Sequence, residues 1–360
     1  MRRAPLLRAL CLLPLLCLLI APSASAAEAE TVLRDAIPES AEELLSGVDL
    51  SGNPFDGIAR IARNALDAAG GEGVAGTLRQ MLMAALLCGA AAAVAESVTS
   101  PLLRRVTETA GGLCVFLLAA GKSGGLLSGA ERAIRELTSF SEVFTAVFAA
   151  ASSAAGAPTA ASAQSSATVF LSALLSELAG RLLLPLCGVI ALLALAGKCM
   201  GQEGLCQLSA LLRGAVVTAL RTLLVLYSAF LTISGALGAA TDGLLRRGLK
   251  TGVSGAVPIV GGALGEACDA ILAGAAAVRN TVGVTGLLIL LSIACLPLLR
   301  IALWYAALRA GAALCAVLSP GGASAAAEIS AAALGLLFAI TATVTAVQLI
   351  SVFAGLLALF

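Results

Sequence analysis

Long apolar blocks without charge are the feature that most limits how this chain can fold. Residues 280–299 and 329–360 contain no charged side chain. A helix needs about 20 apolar residues to cross the hydrocarbon core of a bilayer. Hydrophobic residues make up 59% of the chain and charged residues only 12%, which is about half the charged share of soluble domains. Because helices satisfy their own backbone hydrogen bonds in lipid, the sequence predicts an all-α, polytopic helical membrane protein.

We predict seven or eight transmembrane helices. They are expected near 78–98, 107–121, 137–156, 182–199, 213–237, 282–299, 301–318 and 329–359, with a shorter apolar stretch at 169–180. The count depends on whether residues 137–180 cross once, cross twice, or enter and return. Basic residues favour the cytoplasmic side, so we expect Arg104, Arg105 and the group Arg246, Arg247 and Lys250 there.

Three regions are predicted along the chain. Residues 1–26 have the pattern of a signal peptide, with Arg2 and Arg3 before an apolar core and Ala24-Ser25-Ala26 at its end; an uncleaved first helix is the alternative. In residues 27–77, ten acidic residues stand against three basic ones. We interpret this region as an acidic, extracytoplasmic segment of short amphipathic helices, with a flexible tail as the alternative. Residues 78–360 form the predicted transmembrane domain.

Several classes of chemistry find no support in the sequence. The chain has no histidine, which excludes Ser-His-Asp and Cys-His catalysis and histidine-ligated metals. Its ten cysteines form no C-x-x-C pair, and we interpret most of them as small apolar residues of helices. We therefore predict no enzyme, catalytic residue, cofactor or metal site. A net charge of +1 gives no reason to expect nucleic acid.

An internal repeat is possible. A shift of about 112 residues aligns Leu184-Pro185-Leu186 with Leu296-Pro297-Leu298 and suggests repeats near 137–240 and 249–352. Each half then contains a broken or re-entrant helix, one near Pro158 and one at Pro258, Gly261 and Gly262. Paired broken helices are typical of transporter cores. Chance similarity between Ala- and Leu-rich helices is the alternative.

Charges inside apolar blocks are costly in lipid, so each is a candidate functional residue. Arg221 and Arg309 lie within predicted spans and could either pair structurally or line a pathway. Glu177 and Arg181 are four residues apart, so they could pair on one helical face.

Five short motifs follow one another in the C-terminal half. They are Ala240-Thr241-Asp242-Gly243, Val257-Pro258-Ile259-Val260-Gly261-Gly262, Arg279-Asn280-Thr281-Val282-Gly283, Pro297-Leu298-Leu299-Arg300 and Leu318-Ser319-Pro320-Gly321-Gly322. Their order and spacing resemble the stage III sporulation protein AE family. The signal peptide, the acidic segment and the order of spans extend this resemblance over the chain.

The resemblance implies a membrane subunit of the channel or secretion-like complex that joins the mother cell to the forespore during endospore formation. It implies a place in the mother-cell membrane around the forespore. The expected partners are other stage III sporulation proteins, a forespore-membrane protein across the intermembrane space, and the lipid bilayer. The family offers no catalytic residues. A self-sufficient secondary transporter for a small molecule is the alternative that the residues themselves leave open.

Overall fold

The computed structural model describes residues 31–46, 54–69, 101–154, 172–256, 261–318 and 322–357, with isolated positions at 170 and between 76 and 90. Every regular element in these residues is a helix, which confirms the all-α prediction. The helices are α1 (Glu39–Leu45), α2 (Pro54–Ala69), α3 (Pro101–Ala154), α4 (Ser172–Met200), α5 (Glu203–Ala256), α6 (Gly261–Leu318) and α7 (Gly322–Leu357). A π-helical turn, Ala179–Leu183, lies within α4.

Five of these helices contain segments long and apolar enough to cross a membrane. The segments are Val106–Ala150, Ser172–Met200, Glu203–Phe230, Val282–Val317 and Gly322–Ser351. The predicted signal peptide and most of the predicted span at 78–98 lie outside the described residues. A multi-pass helical membrane protein is thus supported, whereas the count of seven or eight is not confirmed.

The structure joins two pairs of predicted spans. Span 107–121 and the described part of span 137–156 both lie in α3, and spans 282–299 and 301–318 both lie in α6. The polar stretch within α3 stays helical, and the ion pair between Glu131 and Arg135 supports it at the i,i+4 spacing. Pro297 lies inside α6, where it removes one backbone hydrogen bond without ending the helix. Neither polar residues nor one proline was sufficient to break these helices.

Close contacts fix the directions of the long helices. Gly112 approaches the Gly322 carbonyl, and Ser141 bonds to Gln348, so α3 and α7 run parallel. Gly286 in the first half of α6 faces Phe144 near the end of α3. Cys315 near the end of α6 shares an apolar cluster with Val115 near the start of α3, so α6 runs antiparallel to α3.

The short turn after Met200 reverses the chain between α4 and α5. Gly201 has φ +65°, the left-handed conformation that glycine adopts most easily at a helix end. Its amide bonds to the carbonyl of Lys198, and the next amide bonds to Gly197. Packing of Gly197 against Cys206 brings the two helices together directly after the turn.

Because α5 is continuous, Arg246 lies about 65 Å from Glu203 along the helix axis. The α4–α5 turn lies at the end of the bundle where α3 begins, since Leu195 and Val115 share one apolar cluster. The two basic groups predicted to be cytoplasmic, around Arg104 and Arg246, therefore lie towards opposite ends of the bundle. If α5 crosses the membrane, the positions of Arg104 and Arg246 lie on opposite sides of it, so only one of the two groups can be cytoplasmic.

Helix α7 is the centre of the bundle, because it packs against α3, α4, α5 and α6. Leu334, Ile340 and Val344 on α7 are buried. Helix α5 is peripheral and exposes large apolar side chains, with Leu211 71% and Leu226 62% exposed. Such a surface suits contact with lipid acyl chains.

The helix ends do not follow the proposed repeat. A shift of 112 residues would move the end of α4 at Met200 to position 312, but α6 continues to Leu318. The first predicted broken segment, around Pro158, and Pro258 itself lie outside the described residues. The repeat and the re-entrant helices are therefore not confirmed.

Helices α1 and α2 pack against the bundle rather than extending away from it. Gly57, Ile61, Ala65 and Ala69 form a buried stripe at i,i+4 spacing along α2, and α2 contacts α6. This spacing places these four residues on one face, and the three small ones let the two helices approach closely.

Polar contacts and an apolar cluster attach α1. The Ser40 hydroxyl donates to Glu136 Oε2 on α3 at 2.5 Å, and Asn64 Nδ2 on α2 donates to the Leu44 carbonyl at 3.1 Å. Leu33, just before α1, shares a buried cluster with Ile289 on α6. The first described residues are thus part of the same folded body as the apolar helices.

Candidate functional site

A cavity of about 600 Å³ lies where α4, α5, α6 and α7 meet. Three charged residues line it: Arg213 on α5, Arg309 on α6 and Glu328 on α7. We call it the three-charge cavity. The rest of its wall is mostly small and apolar, including Ala194 and Gly214. Small side chains at these positions create the space, because the neighbouring backbones leave room that larger residues would fill.

The three charges lie at similar depth. Arg213 is ten residues after the start of α5, Arg309 nine before the end of α6, and Glu328 six after the start of α7. At 1.5 Å per residue these intervals are about 15, 14 and 9 Å. All three helix ends belong to the same end of the bundle. The charges therefore lie within the half of the bundle nearest that end, in helices built to cross about 30 Å of hydrocarbon.

No ion pair within 4.0 Å joins Arg213, Arg309 or Glu328 to another charge in the part of the chain that the structure describes. All three side chains are exposed in the isolated chain. A guanidinium group offers five N–H donors in a planar fork. Unpaired donors at membrane depth are costly, so the arrangement can accept an anionic group.

Sequence reasoning identified Arg309 but missed its two neighbours. Arg213 is the first residue of a predicted span, and Glu328 directly precedes the last predicted span. The available signal was positional. All three are single charges within about three turns of a helix end, on helices whose ends meet.

The other predicted charges lie elsewhere. Arg181 and Glu177 form the expected ion pair, with Nε to Oε2 at 2.7 Å. Both side chains are more than half exposed, so the pair lies on the outer surface. Arg221 is exposed on α5, two turns beyond Arg213, and does not line the three-charge cavity. A pathway role for Arg221 stays a prediction.

The glycines of the second predicted break lie at the start of α6. Helix α5 ends at Ala256, and Gly261 and Gly262 begin α6. Glycine is weak inside a helix, and the preceding Pro258, although outside the described residues, restricts the residue before it. Gly261 and Gly262 are thus the first residues of α6, and they do not line the three-charge cavity.

A buried hydrogen-bond network links three helices at the opposite half of the bundle. Gln348 on α7 is 1% exposed. Its Oε1 accepts from the Ser141 hydroxyl on α3, and its Nε2 donates to Ser172 Oγ on α4, both at 2.7 Å. One turn away, the hydroxyls of Thr138 and Ser176 also bond. Interhelical polar bonds of this kind hold helices in register within lipid. A single glutamine in an apolar block was the signal that sequence reasoning passed over.

A smaller cavity of about 180 Å³ lies beneath α1. Ser40, Arg132, Glu136 and Arg300 line it together with apolar residues of α3 and α6. The Ser40–Glu136 bond closes one side of it. Arg300 thus lines the same cavity as Ser40 of α1 and Glu136 of α3.

Among the described residues, no group of three or more acidic or cysteine side chains is placed to hold a metal ion. Six cysteines are free thiols, of which Cys187 and Cys315 are buried; the other four are Cys114, Cys199, Cys206 and Cys295.

Comparison with known proteins identifies relatives of this arrangement. The family model described as stage III sporulation protein AE matches residues 57–357, which include all five apolar helices. The chain is similar to stage III sporulation protein AE of Bacillus subtilis (strain 168), with 29% identity over 120 residues, or 33% of this chain and 30% of that protein. The matched segment thus spans less than a third of the curated relative. No solved structure matches the chain. Since the family model covers most of the sequence, the chain belongs to the stage III sporulation protein AE family.

Proposed function

We propose that this protein is a membrane subunit of a channel or secretion-like complex that connects the mother cell and the forespore during endospore formation. The observation that carries this proposal is the family match over residues 57–357. In this proposal the protein lies in the mother-cell membrane around the forespore and sustains late forespore gene expression. Its N-terminus is extracytoplasmic after cleavage of the signal peptide.

A role within a complex is favoured by the acidic helices at the N-terminus. Ala41 and Leu44 of α1 are buried, whereas Glu39, Glu42 and Glu43 are exposed on the opposite face. The buried face attaches α1 to the bundle, so the carboxylates are held outwards on a fixed support. Such a surface can bind a basic partner with little loss of conformational entropy. We propose that it contacts another stage III sporulation protein or the forespore-membrane partner.

The protein acts by assembly and conduction in this proposal, and it is not an enzyme. Among its described polar side chains, Gln348 holds helices together, and Arg213, Arg309 and Glu328 line a cavity between apolar helices. The 600 Å³ of the three-charge cavity is within the range of small-ligand sites. A wider conduit would therefore need further subunits or further copies of this chain.

The test is deletion of the gene in the native spore-former, scored for heat-resistant spores and for a late forespore reporter. We expect a block after engulfment with the reporter silent, and recovery when the wild-type gene is restored. A second strain carrying E39Q, E42Q and E43Q tests the proposed partner surface, with Glu177→Gln as a control for an exposed carboxylate elsewhere. Normal heat-resistant spores in the deletion strain would contradict the proposed function.

A further inference from the structure

We propose that the three-charge cavity is a binding site for a singly charged phosphodiester, and that its occupant is the headgroup of a monoanionic phospholipid. This inference does not depend on the role in sporulation. It rests on the charge balance of the cavity, the depth of its charged residues and the chemistry of its wall.

Charge balance selects a ligand with one negative charge. Arg213 and Arg309 contribute two positive charges and Glu328 one negative charge, so the empty cavity carries a net charge of +1. Uncompensated charge is costly between apolar helices. A phosphodiester carries one negative charge and reduces the net charge of the cavity to zero. A zwitterionic headgroup would leave the excess charge in place.

Geometry suits an oxyanion held by two guanidinium groups. The arginines approach from different helices, α5 and α6, and neither is engaged by a described carboxylate within 4.0 Å. Arginine binds phosphate oxygens through two parallel N–H donors, so its interaction with phosphate is stronger than that of a compact point charge such as an ammonium group. Glu328 then limits the site to one anionic group and can accept from an arginine or from a ligand hydroxyl.

The depth and the wall favour a lipid over a free anion. The charges lie about 9–15 Å from one end of the bundle, within reach of a headgroup of that leaflet once arginine side chains extend towards the surface. Farther from that end of the bundle than the charges, the wall is apolar, with Val217 on exposed α5 and Leu336 on α7. A free phosphate would gain nothing from this wall, whereas glycerol and the first acyl carbons would pack against it.

The experiment uses the full-length chain in a neutral detergent. Phosphatidylglycerol and phosphatidylcholine with identical acyl chains are added at equal concentration, and retained lipid is counted by native mass spectrometry. We expect one phosphatidylglycerol per chain, preferred about tenfold, because the choline cation of phosphatidylcholine cancels its phosphodiester charge and leaves the excess positive charge of the cavity uncompensated. R213Q and R309Q should each reduce retention about tenfold. Equal retention of both lipids would overturn the proposal.

Two further variants keep the test decisive if an arginine variant fails to fold. Glu328→Gln raises the net charge of the cavity to +2 and should increase retention of phosphatidylglycerol. Gly214→Leu should abolish retention, because a side chain there enters open space inside the cavity. Gly188→Leu on α4 also meets open space but lies outside the cavity, so it is the matched control, as Arg221→Gln is for the arginines.

Free phosphate is the competing source of the same chemistry. Excess inorganic phosphate should leave the bound phosphatidylglycerol in place. Displacement of the lipid, or binding of phosphate without any preference between lipids, would overturn the lipid assignment. Undiminished retention in both R213Q and R309Q, with circular dichroism unchanged, would overturn the site itself.

Discussion

Gly286 provides the sharpest test of how α3 and α6 pack. A Cβ atom added at this position would overlap with Cε2 and Cδ2 of Phe144 and would lie 3.0 Å from its Cζ. The Phe144 ring is 3% exposed. It stacks between Phe140 and Phe148, with ring centroids 6.3 Å and 5.5 Å away. The ring has little room to move aside, so Gly286→Ala must displace either the aromatic stack or the helix backbone.

The expected cost follows from these contacts. Overpacking a core costs about 1–3 kcal/mol, and disturbing two aromatic contacts adds about 0.5–1.5 kcal/mol for each. Alanine is a better helix former than glycine by about 1 kcal/mol, which offsets part of this. We therefore expect Gly286→Ala to lower the free energy of unfolding by about 3 kcal/mol. Gly188→Ala, where an added Cβ meets no atom within 4 Å, should be neutral or stabilising by up to about 1 kcal/mol.

The assay is unfolding of the full-length protein in mixed micelles with increasing sodium dodecyl sulfate, followed by far-ultraviolet circular dichroism. A double-mutant cycle with Phe144→Leu isolates the contact, because the smaller side chain removes the obstruction. Gly286→Ala should cost less in the Phe144→Leu background, with a coupling energy of about 1–3 kcal/mol. If the two substitutions are additive, or if Gly286→Ala is as stable as Gly188→Ala, the described packing of α3 on α6 is wrong.

Four further outcomes are expected. Gly322→Ala should destabilise the protein by about 1–3 kcal/mol, since its Cβ would meet the backbone of α3; a free energy of unfolding equal to that of the wild type would argue against the parallel α3–α7 contact. Gln348→Leu leaves two buried hydroxyls on α3 and α4 without their partner and should cost about 1–3 kcal/mol, measured in the same assay. Glu177→Gln breaks only an exposed ion pair and should change stability by less than about 1 kcal/mol. Arg309→Gln should lower the yield of heat-resistant spores more than Arg221→Gln does at equal protein abundance, because only Arg309 lines the cavity; the reverse order would favour a pathway through Arg221.

The helical class and the approximate positions of the apolar segments could be predicted from sequence. The number of apolar residues in a spanning helix must match the thickness of the hydrocarbon core of the bilayer. The ion pair between Glu177 and Arg181 could be predicted for a similar reason, since i,i+4 neighbours share a helical face. These features are local. Their physical cause lies within a few turns of one helix.

Features that depend on distant residues could not be predicted. The parallel pairing of α3 with α7 is set by contacts such as Gly112 with Gly322, which no local pattern reveals. The continuity of α3 and α6 also depends on neighbours, because packing against other helices decides whether a polar stretch or one proline ends a helix. Arg213, Arg309 and Glu328 become one site only when three helix ends meet.

The central place of α7 and the packing of the N-terminal residues also determine the order of assembly during synthesis. Leu33 shares its buried cluster with Ile289, a residue made about 250 residues later. At about 5–20 residues per second, some 10–50 s pass before these two segments can meet. Helix α7, which every other long helix contacts, is made after all the other described helices. The earlier helices therefore enter the membrane before their shared core exists, and the bundle closes only after α7 has been made.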